Sequence, residues 1–372
     1  MVRIAQSTVG DDVFVVGGGP AGLAAAIAAR QKGFRVTVAD YTRPPIDKAC
    51  GEGLMPDAVA ALSRLGIQIG LDKAYPFRGI RFVKGRTAVE AEFPYGIGRG
   101  IRRTALHDLL VQRAVDLGVS MQWGTRADDS YLRAVHSAAG IAWIIGADGQ
   151  NSLVRRWVGL DAPRCQHRRF GFRRHFQIEP WTNHVEVHWS TNCQMTITPV
   201  GPTEVCVALL ASDASLRVQE AVSRFPEIEK RLKGAPATTT ERGAISALRT
   251  LKAVSCGAVA LVGDASGSVD AVTGDGLCLA FRQAAFLAEA LSANNLGLYQ
   301  RAHRRITRLP VLMSQLMLFM SRRAWFRQRV LRALARQPRV FSKLLAIHVG
   351  AIPPASLGLE GVLRLGWELL IA

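Results

Sequence analysis

The 372-residue sequence contains no uninterrupted apolar run of the roughly 18 residues that a membrane-spanning helix requires. It also lacks any Cys-x-x-Cys pair. Cys50, Cys165, Cys193, Cys206, Cys256 and Cys278 stand at irregular spacings, which argues against a zinc ribbon or a disulfide framework. No bound metal is expected. Between residues 301 and 343 there is no Asp or Glu, against eleven Arg and one Lys. Two-thirds of the net charge of +18 therefore sits in one late segment. The rest is only mildly basic, which excludes a nucleic-acid footprint spread over the whole surface. What remains, 49% hydrophobic and 20% charged residues, is a globular composition long enough for two lobes. A cytoplasmic protein is expected, with a peripheral contact between 301–343 and an anionic membrane left open.

Three glycine-aspartate signatures follow apolar runs. In the first, Val13 to Val16 runs into Gly17, Gly19, Pro20, Ala21 and Gly22, which reads as a buried strand and then G-x-G-x-x-G. It is not a signal peptide. The glycines permit a tight turn and close approach of the backbone to a pyrophosphate, and an alanine-rich helix then points its N-terminus at the phosphates. Phe34 to Ala39 forms the next strand. It ends at Asp40, where a ribose-binding carboxylate belongs, with Arg43 close behind as an adenine or phosphate contact. In the second, Trp143 to Ile145 leads into Asp148-Gly149, with Ser152 and Arg155 beyond. In the third, Ala258 to Val262 leads into Gly263-Asp264. Gly274-Asp275-Gly276 then opens a long helix. Between the first two, Arg103 heads an amphipathic helix with Leu106, Leu110, Ala114 and Leu117 on one face.

This set of motifs resembles the single-FAD flavoprotein monooxygenases (group A aromatic hydroxylases) and geranylgeranyl reductases over about residues 11–300. The resemblance implies non-covalent FAD. Arg103, Asp148, Gly149 and Asp264 would contact the cofactor, and the helix from Gly274 and Gly276 would face the flavin pyrimidine edge. It implies a transient NAD(P)H co-substrate as well, since no second G-x-G-x-x-G exists. Ala265-Ser266-Gly267-Ser268 and Ala271-Val272-Thr273-Gly274 depart from the hydroxylase pattern. With Cys50-Gly51-Glu52-Gly53-Leu54 they are closer to the reductase branch. The W-x-W-x-I-P signature of flavin-dependent halogenases is absent.

The expected fold class is α/β: a Rossmann-like FAD-binding domain (1–75, 96–165 and 250–300), a β-sheet substrate domain (76–95 and 166–249) and a basic C-terminal helical segment (301–372). Period-two alternation marks the sheet at Phe170 to Ile178, His184 to Trp189, Met195 to Pro199 and Glu204 to Leu210. His184, Glu186 and His188 share a strand face and read as a solvated or hydrogen-bonded sheet face, because no third ligand cluster is visible. Glu52, between two glycines that let the backbone approach a ligand, is the acid/base candidate. Cys50 and His175 are further pocket candidates. The 301–343 helices read either as a cap on the FAD domain with a solvated arginine face or as a surface meeting anionic lipid. Gly358 to Ala372 reads as a last amphipathic helix.

The leading functional expectation is NAD(P)H-dependent monooxygenation of a hydrophobic aromatic or polyketide-like molecule through a C4a-hydroperoxyflavin. Reduction of isoprenoid C=C bonds is the close alternative. A non-catalytic, membrane-docking FAD protein is the third.

Overall fold

The computed structural model describes residues 13–85, 87–138, 140–161, 166–358 and residue 366. Residues 1–12, Cys165 and the expected last helix beyond Gly358 lie outside these, apart from residue 366. Three sheets organise the chain. The six-stranded sheet places Val13–Val16 at its centre, paired in parallel with Val36–Asp40 and Trp143–Gly146. Val259–Leu261 and Ser120–Trp123 extend it in parallel on either side, and Ser255–Cys256 closes one edge antiparallel. The Val13–Val16 run is buried throughout, as expected of a strand covered on both faces.

Helix Pro20–Gln31 starts with proline at its first turn and buries Leu23, Ile27 and a row of alanines. Alanine costs no side-chain entropy and lets neighbours approach closely. Helices Arg103–Asp116 and Gly276–Ser292 pack around it in the largest apolar cluster. This is the Rossmann-like unit. Val13–Val16 has the expected bounds, the expected strand Phe34 to Ala39 is Val36–Asp40, and Ala258 to Val262 shortens to Val259–Leu261. Ser120–Trp123 and Ser255–Cys256 join without a motif.

The seven-stranded sheet runs Arg242–Leu248, Gln166–Gln177, Glu204–Ala211, Cys193–Gly201, His184–Trp189, Gly79–Lys84, Thr87–Glu92. Met195, Ile197, Val205, Val207 and Leu209 point to one face, with Phe172 and Phe176, beneath the short helices Val218–Val222 and Pro226–Leu232. The opposite face carries Arg173, Gln194, Thr196, Thr198 and Ala208 toward a cavity. A small third sheet of Gly53–Leu54, Gly98–Gly100 and Tyr75–Phe77 joins the two larger units.

The C-terminal segment differs from expectation in two ways. The boundary at 300 falls inside one helix, Leu296–Arg322, with Pro310 within it. The helices Ala324–Arg336 and Pro338–His348 meet the FAD-binding unit at Met55, Val272 and Asp275 but pack mainly elsewhere. They bury Leu331, Leu334, Val340, Phe341 and Leu345 against Phe82, Val89 and Trp189 of the seven-stranded sheet. The reason is hydrophobic matching: that edge of the sheet offers the apolar surface the helices must cover. Among the described residues no helix is long and apolar enough to cross a membrane.

Helix Leu296–Arg322 is fastened to the third glycine-aspartate turn by polar side chains. The Tyr299 hydroxyl donates to the Leu261 carbonyl at 2.6 Å, and the Ser314 hydroxyl accepts the Asp270 N–H at 2.9 Å. His303 Nε2 lies 3.0 Å from Ser266 Oγ, whose own hydrogen goes to the Gly263 carbonyl at 2.8 Å. Nε2 is therefore the donor. Burial pushes the His303 imidazole down to about 4, whereas in the unfolded chain it titrates near ~6.5. Between these values the unfolded chain binds a proton that the folded chain refuses. The contribution is thus intact above ~6.5 and is lost as pH falls toward 4, to a total of about 3 kcal/mol. Urea unfolding at pH 7 and pH 4.5 should show His303→Gln losing less stability on acidification than the parent by about 2–3 kcal/mol. An identical loss in both would refute this.

Candidate active site

A cavity of about 840 Å³ runs between the two large sheets and under the C-terminal helices. Its polar end is built from the glycine-aspartate signatures. Gly17, Gly19, Pro20, Ala21, Asp40, Arg103, Asp148, Gly149, Gly263, Asp264, Gly274 and Gly276 all form its wall. Gly22 does not. It packs so closely that a Cβ there would lie 1.8 Å from the Gly17 carbonyl oxygen. Gly19 is the opposite case, because a Cβ there would meet nothing within 4 Å and would stand in the space a ligand takes.

The acids of this end are already oriented. Asp40 accepts the Gly18 N–H at 2.7 Å through one oxygen and the Thr42 N–H at 2.7 Å through the other. Asp148 caps helix Leu153–Trp157 by accepting from Leu153 and Val154, which leaves its second oxygen buried without a partner. Arg103 Nε is likewise buried and unpartnered. A buried carboxylate oxygen and a guanidinium N–H facing one cavity fit a nucleotide that completes their bonding. Asp264 pairs with Lys48 at 3.0 Å.

Two residues flanking the second motif support the site from outside it. Ser152 caps the same short helix, and the buried Arg155 donates to the Gln150 and Ala265 carbonyls, tying that loop to the third motif. Arg43 is exposed beside Gly124 and stands outside the cavity wall. Arg126, Arg156 and Lys48 supply positive charge to the wall instead. Lys48 and Arg126 come from loops with no motif of their own, and Arg156 from the short helix after the second motif.

The catalytic candidates converge at the middle of the cavity. Glu52 is 2% exposed, lines the cavity and has φ +58, a left-handed conformation that a non-glycine residue keeps only when its surroundings enforce it. The enforcing contacts are visible. One carboxylate oxygen accepts the Arg103 backbone N–H at 3.0 Å, and the other lies 2.6 Å from His175 Nε2. Arg173 Nε stands 3.5 Å away. His175 sits behind Glu52, outside the wall. Its Nδ1 is 3.2 Å from Arg173 Nη1 and 2.9 Å from Thr239 Oγ1. A guanidinium can only donate, so Nδ1 accepts and the imidazole hydrogen lies on Nε2, directed at Glu52. Arg173 in turn pairs with Asp47. Cys206, opposite His175 in the strand register, adds a thiol that burial pushes well above its ordinary range. Its sulfur, the imidazole and the Glu52 carboxylate lie within 4.8 Å of one another. The two Glu52 oxygens are thus engaged by a backbone N–H and an imidazole. Cys50 is half-buried in the wall and its sulfur accepts the Glu52 N–H at 3.4 Å.

His184, Glu186 and His188 form a buried face, on which His188 bonds Glu186 at 2.9 Å while the His184 Nε2 is buried without a hydrogen-bond partner. Burial works to raise the Glu186 carboxyl, but hydrogen bonds from His188 and Trp181 and the nearby charges of His188 and Arg81 hold it below its ordinary value. A second polar cluster missed in the sequence lies past Gly274. The buried Arg169 pairs with Asp270 and donates to Gln194 at 2.6 Å. Burial raises the Asp275 carboxyl, and His348 stands 3.4 Å from it. Beyond these groups the wall becomes apolar, with Phe77, Phe82, Val187, Met317, Met320 and Phe341.

Comparison with known proteins agrees with this geometry. The family model described as an FAD binding domain matches residues 11–300. The chain is 31% identical over 332 residues to a menaquinone reductase of Mycolicibacterium smegmatis, covering 78% of each. It is 28% identical over 323 residues to a para-nitrophenol 4-monooxygenase of a Pseudomonas species, covering 76% of this chain and 78% of that one. Among solved structures, Klebsiella pneumoniae HpxO complexed with FAD and uric acid superposes with a TM-score of 0.75 at 18% identity, covering 92% and 97% of the two chains.

The two glycines separate packing from binding. Gly19→Ala should leave the flavin-free protein melting with the parent while weakening FAD retention roughly ten-fold, about 1.4 kcal/mol. Gly22→Ala should lower both melting temperature and retention, because its Cβ meets backbone. Flavin absorbance per polypeptide and thermal melts of the flavin-free forms check this.

Proposed function

The chain belongs to the FAD binding domain family and is an FAD-dependent oxidoreductase, and from that premise we propose that it reduces a C=C bond in a long-tailed isoprenoid or quinone lipid. The bound flavin supplies the hydride for such a reaction, and NAD(P)H is the proposed source of that hydride. The observation that carries the proposal is the Glu52–His175 couple, a buried acid and imidazole 2.6 Å apart at the head of an apolar channel. Saturating a C=C bond needs one hydride and one proton. Glu52 faces the cavity and hands its proton to the carbon that does not receive hydride. The carboxylate left behind accepts from the Arg103 N–H and from His175 Nε2, and takes its next proton from water admitted to the cavity between turnovers.

The rest of the wall positions substrate and excludes water. Phe77, Phe82, Val187, Met317 and Phe341 offer a tail no competing hydrogen bond. Cys50, beside Glu52 on the same loop, contacts the reacting segment. The likeness to menaquinone reductases, extending over 78% of the chain at 31% identity, supports this ordering. So do the small residues after Asp264. Hydroxylation of an aromatic or polyketide-like ring is the second reading, favoured by the relation to a para-nitrophenol 4-monooxygenase and by the aromatic side chains Phe77, Phe82 and Phe341 in the wall. The non-catalytic expectation is set aside, because the chain is an oxidoreductase.

Glu52→Gln keeps a carbonyl oxygen to accept the Arg103 N–H and so should fold and hold FAD. It should slow turnover of a polyprenyl quinone by roughly 10²–10⁴-fold while leaving flavin reduction by NAD(P)H unchanged. His175→Gln should act in the same direction. Anaerobic turnover assayed by product mass, beside stopped-flow reduction, checks this. Equal turnover in Glu52→Gln and the parent would overturn the assignment.

A further inference from the structure

One face of helix Leu296–Arg322 is unlike the surface elsewhere. Residues 308, 312, 316, 319 and 323 fall on it at helical spacing. Leu312, Leu316 and Phe319 are 60%, 41% and 44% exposed. The apolar surface continues onto the next helix. Phe319 packs edge-on against Phe326 at 4.8 Å, and Phe326 against Trp325 at 5.7 Å, with Trp325 57% exposed. Isolated exposed hydrophobics are ordinary, but a contiguous set marks a contact surface. Exposed arginines frame this one. Arg308 precedes it, Arg323 ends the helix, and the Arg329 guanidinium lies 5.7 Å over the Trp325 ring. No carboxylate occurs between 301 and 343 to neutralise them.

The patch is also continuous with the cavity. Leu316 is both exposed and part of the cavity wall, together with Met313, Met317 and Met320 from the same helix. An apolar centre, a cationic rim and a greasy channel opening between them match an interface whose surface is anionic and whose interior is hydrocarbon. Nucleic acid would use the rim but leave exposed leucines and aromatics against a polar partner.

We propose that this face docks the protein on an anionic lipid bilayer. Leu312, Phe319 and Trp325 insert at the acyl boundary, the arginines rest on headgroups, and the cavity mouth faces the membrane. The inference goes beyond the proposed reaction and requires no particular chemistry at the flavin.

The test is flotation of the FAD-loaded protein with vesicles of phosphatidylcholine alone or with phosphatidylglycerol. Binding to the anionic vesicles should exceed binding to neutral ones at least ten-fold, and high salt should release it. The triple variant Arg308→Gln, Arg323→Gln, Arg329→Gln should bind roughly 100-fold more weakly, at about five-fold per arginine. The triple variant Leu312→Ser, Phe319→Ser, Trp325→Ser should also lose binding while retaining FAD per polypeptide. Brominated acyl chains should quench tryptophan fluorescence in the parent and do so less in Trp325→Phe, which still floats. The proposal is overturned if the folded variants float like the parent, if Trp325→Phe is quenched as strongly, or if the parent ignores anionic vesicles. Binding to a DNA duplex that survives the apolar substitutions, without flotation, would identify a nucleic-acid surface instead.

Discussion

The carboxylate of Glu52 is held from two elements that belong to different units. The Arg103 N–H reaches it from the start of a helix in the FAD-binding unit, and His175 with Arg173 reaches it from the seven-stranded sheet. Its backbone sits at φ +58, a conformation of order 1–3 kcal/mol above the ordinary regions for a residue with a side chain. The contacts offset that strain and fix the loop Cys50–Gly53 where the two units face each other. The cavity keeps its shape because this joint does. Buried charged groups are expensive unless fully bonded, and here the donors on both sides bond the carboxylate.

The same logic explains why the sheet faces inward with polar side chains. Arg173, His175 and Arg169 lie on the cavity side of one strand and are buried, while Phe172 and Phe176 point the other way into a separate apolar cluster. A strand with an arginine-histidine face would ordinarily turn it to water. Here Asp47, Glu52 and Asp270 arrive from the other unit and from the turn before helix Gly276–Ser292 to pair with it. The C-terminal helices then seal the apolar half of the cavity, and Tyr299, His303 and Ser314 fasten them to the third motif.

The strands and helices of the FAD-binding unit were legible because their chemistry is local. A buried strand, a glycine turn and an amphipathic helix each announce themselves within a dozen residues. Glu52 and Cys50 were legible for the same reason, through flanking glycines. Lys48 and Asp270 were not, since each gains its place from a tertiary contact, with Asp264 and Arg169, far away in the sequence. Arg43 shows the converse: the right residue at the right spacing, exposed beside Gly124. The C-terminal helices were recognised as helices, but their packing partner was misjudged. The hydrophobic face of a helix shows what it must bury, and the complementary surface lay more than 200 residues earlier, at Phe82 and Val89.

The proposed reaction rests on an acid-imidazole couple at one end of an apolar cavity, which would deliver a proton to carbon. The most direct measurement is the isotopic content of the product formed from a polyprenyl quinone with a deuterium-labelled nicotinamide donor under labelled oxygen. The account predicts one hydrogen from the donor, one from solvent and no oxygen from the gas phase. A product carrying one atom of labelled oxygen and no added hydrogen would contradict it.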